Sequence, residues 1–313
     1  MGQEKPGVRI PAEALAKLLQ ALIQGARQSV RLRVEGESTR RGNPPAWLDN
    51  VTQFEVTGLE TGSTVIDIDA PSLAEADPEM FATAGQTTLF GEEKEPLQTD
   101  FTGIDIFADS LKHALAEERD SVEFDKSILE TILQCNAAIK DTYTSFEIRG
   151  LSWTSEPLRV SREGLEKVGA LYRDVPEPQL VRLVGRLDTI SATQPWVVLQ
   201  MDSGEKVRAR LEPFDPQQMH SLFNKDVVVS GTAYFRASRR LLRVEAEFIA
   251  EAEGQQTLWR KVPTPAATRL QKGSLRVAQD ESSGVSAFFG TWPGDESDKE
   301  MLDSLKKMDE ETE

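Results

Sequence analysis

Asp67 and Asp69 stand two apart in Val65-Ile66-Asp67-Ile68-Asp69, so on a strand both carboxylates share one face, the spacing at which paired acids hold a magnesium ion. A hydrolase with a carboxylate-bound metal is the chemistry such a pair would serve. Ile66 and Ile68 occupy the opposite face, so the plainer expectation is the wet side of a half-buried strand, with no metal. The other chemical side chains are sparse. His113 sits in a helical run ending Lys112-His113-Ala114-Leu115, and His220 in a short helix, neither with a patterned partner. Cys135 closes Ser127-Ile128-Leu129-Glu130-Thr131-Ile132-Leu133-Gln134-Cys135, whose helical period predicts a buried small apolar side chain rather than a nucleophile. Phosphate-cradling glycine loops, a nucleophile elbow and zinc-type Cys/His clusters are absent from the sequence. The residues therefore predict a protein that is not an enzyme and carries no cofactor.

Charge narrows the partners. The formal net charge of −16 argues against a surface coated for nucleic acid or anionic membrane. Half of it lies in residues 280–313, which hold eleven acidic and three basic side chains. Residues 255–279 just before carry Arg260, Lys261, Arg269, Lys272 and Arg276 and no acid, so a basic linker leads into an acidic tail. No stretch approaches the roughly 18 apolar residues a membrane helix needs. A single cysteine in 313 residues fits a reducing compartment, and a cytoplasmic location is expected.

The elements that must position these residues read as α+β. Leu15, Leu18, Leu19 and Leu22 predict an opening helix behind Pro11. The alternation of Val30-Arg31-Leu32-Arg33-Val34 predicts a strand, followed by strands at 52–56 and 64–70 joined as a hairpin over Gly58 to Gly62. Arg31, Arg33, Arg40 and Arg41 form a small basic group near that hairpin, most simply a solvated face. Helices are expected at 104–116, 124–139 and 161–172, with an extended run at 145–149. Residues 77–101, with Gly85, Gly91 and Pro96, read as a long surface loop. Pro176 and Pro178 set the expected boundary between an N-terminal domain, 1–175, and a second domain, 176–252.

That second domain has the more diagnostic order. Strands at 180–190, 196–201 and 206–211 are followed by a short helix at 215–223, with Asp215 as cap and Pro216 in its first turn, then by strands at 227–235 and 241–249. Three strands, a helix and two strands is the order of a five-stranded OB-like barrel, and Gly185 and Gly231 fall where such a barrel bends. Barrels of this kind bind single-stranded nucleic acid by stacking bases on aromatics in a basic groove. Trp196, Tyr234, Phe235, Arg236, Arg239, Arg240 and Arg243 are the candidates here, with one of the adjacent Tyr234 and Phe235 facing in and the other out, and a net charge of +2 over residues 181–250 limits the binding to a weak, salt-sensitive one.

Residues 253–313 are expected to be a disordered linker and an acidic docking tail. Phe288, Phe289, Trp292 and Pro293 make an aromatic anchor and turn, and Asp295 and Asp298 lead into a short helix. Met301, Leu302, Leu305 and Met308 lie on one stripe of that helix, which is too short to be stable without something to cover it.

Several of these runs resemble one bacterial protein family for which no activity is established. They are Gly185-Arg186-Leu187-Asp188, Asp202-Ser203-Gly204, Gly231 to Arg236 with Leu241 to Ala246, and upstream Val34 to Ser38, Pro45 to Leu48 and Gly62 to Val65. The tail Trp292-Pro293-Gly294-Asp295-Glu296-Ser297-Asp298 is similar to the C-terminal segment of antitoxins paired with PIN-domain ribonuclease toxins. That resemblance implies a toxin–antitoxin partner. Phe288, Phe289 and Trp292 would fill an apolar groove, Met301, Leu302 and Leu305 would lay a helix beside it, and the acids would meet the basic RNA-binding surface of the toxin. A single-stranded nucleic-acid-binding protein working through the barrel is the alternative reading.

Overall fold

The leucine stripe that opens the chain grows into a helix longer than its spacing alone predicts. In the computed structural model, which describes residues 11–40, 42–60, 65–82, 97–139, 144–150, 157–191, 195–253 and 259–266, helix α1 spans Ala12–Glu35. The strand expected at 30–34 is therefore the last part of α1. Alternating valines and arginines satisfy a helix here because each has a partner in helical geometry. Val30 is buried beside Leu48 and Ile106, and Leu32 joins the main core. Arg31 pairs with Glu35 one turn on, while Arg33 reaches Asp109 and Glu123. Gly36 ends the helix at φ +77, donating its N–H to the Leu32 carbonyl.

Helix α2 (Ala46–Asn50) precedes an antiparallel hairpin of β1 (Glu55–Glu60) and β2 (Val65–Asp69), with a bulge between Val56 and Gly58. Helices α3 (Leu73–Ala76) and α4 (Pro78–Ala82) follow. The expected loop at 77–101 thus begins as a helix. Phe81 in α4 is fully buried and meets Trp47 edge-on at 6.0 Å, with Leu97 and Phe101 packed on the same small core. Residues 83–96 lie outside the described residues.

The main helical core comes from α1, α5 (Gly103–Leu115), α6 (Lys126–Gln134), α7 (Asn136–Ile139) and α8 (Arg162–Asp174). Three of them start at a side-chain cap. Thr102 and Asp105 form a reciprocal capping box on α5, Asp125 caps α6 and Ser161 caps α8. Leu22, Phe107, Leu111, Ile128, Ile132 and Val168 meet in the middle, against a small antiparallel pair of β3 (Ser145–Ile148) and β4 (Leu158–Ser161).

After Pro176 and Pro178 the period changes from helix to strand. Strands β5 (Gln179–Ile190), β6 (Trp196–Gln200), β7 (Lys206–Leu211), β8 (Asp226–Phe235) and β9 (Leu241–Glu251) close a barrel in the order β5-β6-β7-β9-β8, with α9 (Pro216–Leu222) between β7 and β8. Strand β7 runs parallel to β9 and every other neighbour is antiparallel. This is the expected OB-like barrel. Closure needs β8 and β9 to approach closely, and at Gly231 any Cβ would lie 2.0 Å from the Glu245 carbonyl oxygen, so no other residue fits. Leu183, Leu187, Val197, Leu199, Val229 and Val244 fill the interior. The helical body and the barrel belong to one compact unit, Met1–Pro265.

Candidate functional site

The barrel face that an aromatic and basic composition would offer to nucleic acid is turned toward the helical body. Trp196 opens β6 and is 4 % exposed, and its indole N–H donates to the Glu35 carbonyl at 2.9 Å. The Arg208 guanidinium lies 5.1 Å from its ring centroid. Directly opposite Trp196 on β7, Arg210 is 5 % exposed and pairs with Glu37, which is as deeply buried, and with Glu212 at 2.7 Å. On β9, Arg243 is buried against Asp125 at 3.5 Å and lies over the Tyr234 ring, 4.5 Å from its centroid.

Asp125 holds several partners at once. It caps α6, accepts the Ser38 hydroxyl at 2.7 Å and faces Arg243. Tyr234 donates its hydroxyl to Glu245 at 2.9 Å; burial, followed by that carboxylate, pushes the phenol above its ordinary range. Phe235 points the other way into the barrel core, as neighbouring strand residues must. The strip Glu35 to Ser38, together with Asp125, therefore presents a carbonyl oxygen to the Trp196 indole and carboxylate oxygens to Arg210 and Arg243, and these three are structural clasp residues in this arrangement.

The remaining candidates, Arg236, Arg239 and Arg240, sit at the barrel's end. Arg236 donates to the Asp120 carbonyl at 2.9 Å, and Ser238 beside it bonds the Asp120 carboxylate. Arg239 and Arg240 form the β8–β9 turn, where Arg240 approaches Asp120 at 3.9 Å and both line an open cleft of about 530 Å³. Arg260 and Lys261 line the same cleft from the segment after β9. Neither was named by sequence as part of the barrel face, because the basic run from 255 reads as linker. The exposed Trp259 immediately ahead of them was missed for the same reason.

Asp67 and Asp69 lie on the exposed side of β2 with Ile66 and Ile68 on the half-buried side. Among the described residues no three His, Cys, Asp or Glu side chains are grouped to hold a metal, and no helix is long and apolar enough to cross a membrane. His113 bonds Glu118 at 2.6 Å on the surface, and His220 is exposed in α9. Cys135 is fully buried, and burial pushes its thiol up to about 12. Arg31 and Arg40 line a shallow depression of about 260 Å³, tied to Glu35 and Glu212. The docking residues Phe288, Phe289, Trp292, Pro293, Asp295, Asp298, Met301, Leu302 and Leu305 lie outside the described residues. Comparison with protein-family models and with curated proteins finds no match for this chain.

Proposed function

We propose that this chain is a non-enzymatic protein-interaction module, an antitoxin-like inhibitor that docks its C-terminal segment on a PIN-type ribonuclease in the cytoplasm. The observation that carries the reading is the residue order at 288–308: aromatic anchors at Phe288, Phe289 and Trp292, a Pro293-Gly294 turn, acids at Asp295, Glu296 and Asp298, then an apolar helical stripe. Anchors of this kind fill pockets, and flanking carboxylates match the basic surface on which a ribonuclease holds its substrate. Occupying that surface excludes RNA. The burial of Trp196, Arg210 and Arg243 in the seam supports a scaffold role for the barrel beside this tail, since those side chains hold the protein together.

Co-purification from the native host tests the reading. The tagged full-length chain, its Trp292→Ala variant and a version ending before Phe288 are compared, and the captured protein is assayed for RNA cleavage. A small nuclease retained by the full-length chain, lost from the other two and inhibited on adding the full chain back is the expected result. The same partners on all three, or none on any, overturns it.

A further inference from the structure

The open cleft at the barrel's end runs against the charge of the chain. Arg239, Arg240, Arg260 and Lys261 face two acids, Asp202 and Glu205, in a protein of net charge −16. Arg260 donates to Asp202 at 3.2 Å and also bonds Asp226, so one guanidinium is shared by two carboxylates and pins the segment after β9 onto the barrel. Leu241 and Val262 contribute apolar surface to the same lining. Trp259 does not itself line the cleft, but it directly precedes Arg260 in the pinned segment and is 42 % exposed.

The backbone supplies an independent observation. Arg239 holds φ +69, the left-handed region in which glycine or asparagine is relaxed and a long side chain is strained. The Arg236 N–H donates to Arg240 O at 2.8 Å, and the Arg239 N–H donates to Arg236 O at the same length, so the turn geometry is closely determined. Glycine would make this turn at lower cost, yet the position carries a guanidinium at the cleft.

We propose that this cleft binds single-stranded nucleic acid, with phosphates along Arg239, Arg240 and Lys261 and a base stacked on Trp259. Cations spaced along an open groove track a sugar–phosphate backbone, and an exposed indole accepts the face of any base, so the binding is sequence-tolerant and salt-dependent. A duplex keeps its bases stacked inside and cannot use the indole. The site is separate from the buried Trp196 face and does not depend on the tail-docking reading.

Fluorescence anisotropy on the full-length chain, with a labelled oligothymidylate of about twelve nucleotides at low salt, tests the proposal. The wild-type chain is expected to bind the single strand in preference to a matched duplex. Arg240→Glu with Lys261→Glu should weaken binding at least about tenfold and flatten the slope of log affinity against log salt by about 1.4, the loss of two phosphate contacts. Trp259→Ala should cost about tenfold. Arg239→Gly relieves the left-handed backbone and should leave thermal stability unchanged or higher while binding falls; the exposed Arg159→Glu, outside the cleft, should leave binding intact. Absence of oligonucleotide binding at low salt, or full affinity in the Arg240/Lys261 variant, overturns the proposal. So does equal affinity for polyglutamate with no effect of Trp259→Ala, which would make the cleft a seat for an acidic peptide.

Discussion

The indole N–H of Trp196 donates to the backbone carbonyl of Glu35 at 2.9 Å, joining the first residue of β6 to the last residue of α1 across 161 positions of sequence. Next to it, Gly36 turns the chain at φ +77, and a Cβ there would lie 2.9 Å from Trp196 Cζ2. The left-handed cap and the indole occupy adjoining space, so each constrains what the other position accepts. Trp196→Ala should cost about 3–5 kcal/mol, the range for emptying a buried aromatic site. Gly36→Ala should cost roughly 1–2 kcal/mol from its backbone alone, and more with the indole present. Denaturant unfolding of the two single variants and the double variant measures the coupling; the Gly36→Ala penalty should shrink in the Trp196→Ala background.

Glu37 and Arg210 meet at 5 % side-chain exposure each. Removing Glu37 leaves the buried Arg210 guanidinium with Glu212 as its remaining carboxylate, so Glu37→Ala or Glu37→Gln should destabilise by about 1–3 kcal/mol, while a joint replacement by apolar residues of similar size should cost less. Parallel urea melts decide it. A single variant no weaker than the joint one would show that Glu212 alone satisfies Arg210.

Gly25→Ala sets two effects of opposite sign against each other. Helix propensity favours alanine by about 1 kcal/mol in the middle of α1. The new Cβ would, however, sit 2.4 Å from Phe107 Cε2, on a ring that is wholly buried and has no room to withdraw. Overpacking of about 1–3 kcal/mol should win, lowering Tm, and Phe107→Leu in the same chain should recover part of the loss.

Cys135 should be silent in the native protein. Its thiol is raised from 9.0 to about 12 by burial, so it should resist alkylation at pH 8 until denaturant exposes it, which mass spectrometry of iodoacetamide-treated samples would record. The linkage has a definite sign. A folded pKa above the unfolded one gives stability that is complete below pH 9.0 and is lost as pH rises from 9.0 toward 12, because the unfolded chain then gives up the proton first.

The sequence by itself determined the barrel and the helices that carry their own punctuation. Period-2 runs from 180 to 249, the Asp202-Ser203-Gly204 turn, Asp215-Pro216 at a helix start and glycines at the tight bends are local signals, and each appears where it points. Helical period did the same for α5, α6 and α8, and the structure adds the caps at Thr102, Asp125 and Ser161 that start them. Asp67 and Asp69 were legible as a wet strand face from two isoleucines. Only tertiary structure decided the rest, since the deciding partners are far away in sequence. Val30 to Val34 alternates like a strand, yet Asp109 and Glu123 take Arg33 and the helical geometry holds. Phe81 sits in a polar, glycine-bearing stretch, and Trp47 buries it. The aromatic and basic side chains of the barrel carry no mark in sequence of which way they face: Glu35, Glu37 and Asp125 draw Trp196, Arg210 and Arg243 inward, and barrel closure brings Arg239 and Arg240 beside Arg260 and Lys261. Hydrogen bonds and ion pairs between distant segments form only once the backbone has placed them, so composition names the groups and the fold assigns their partners.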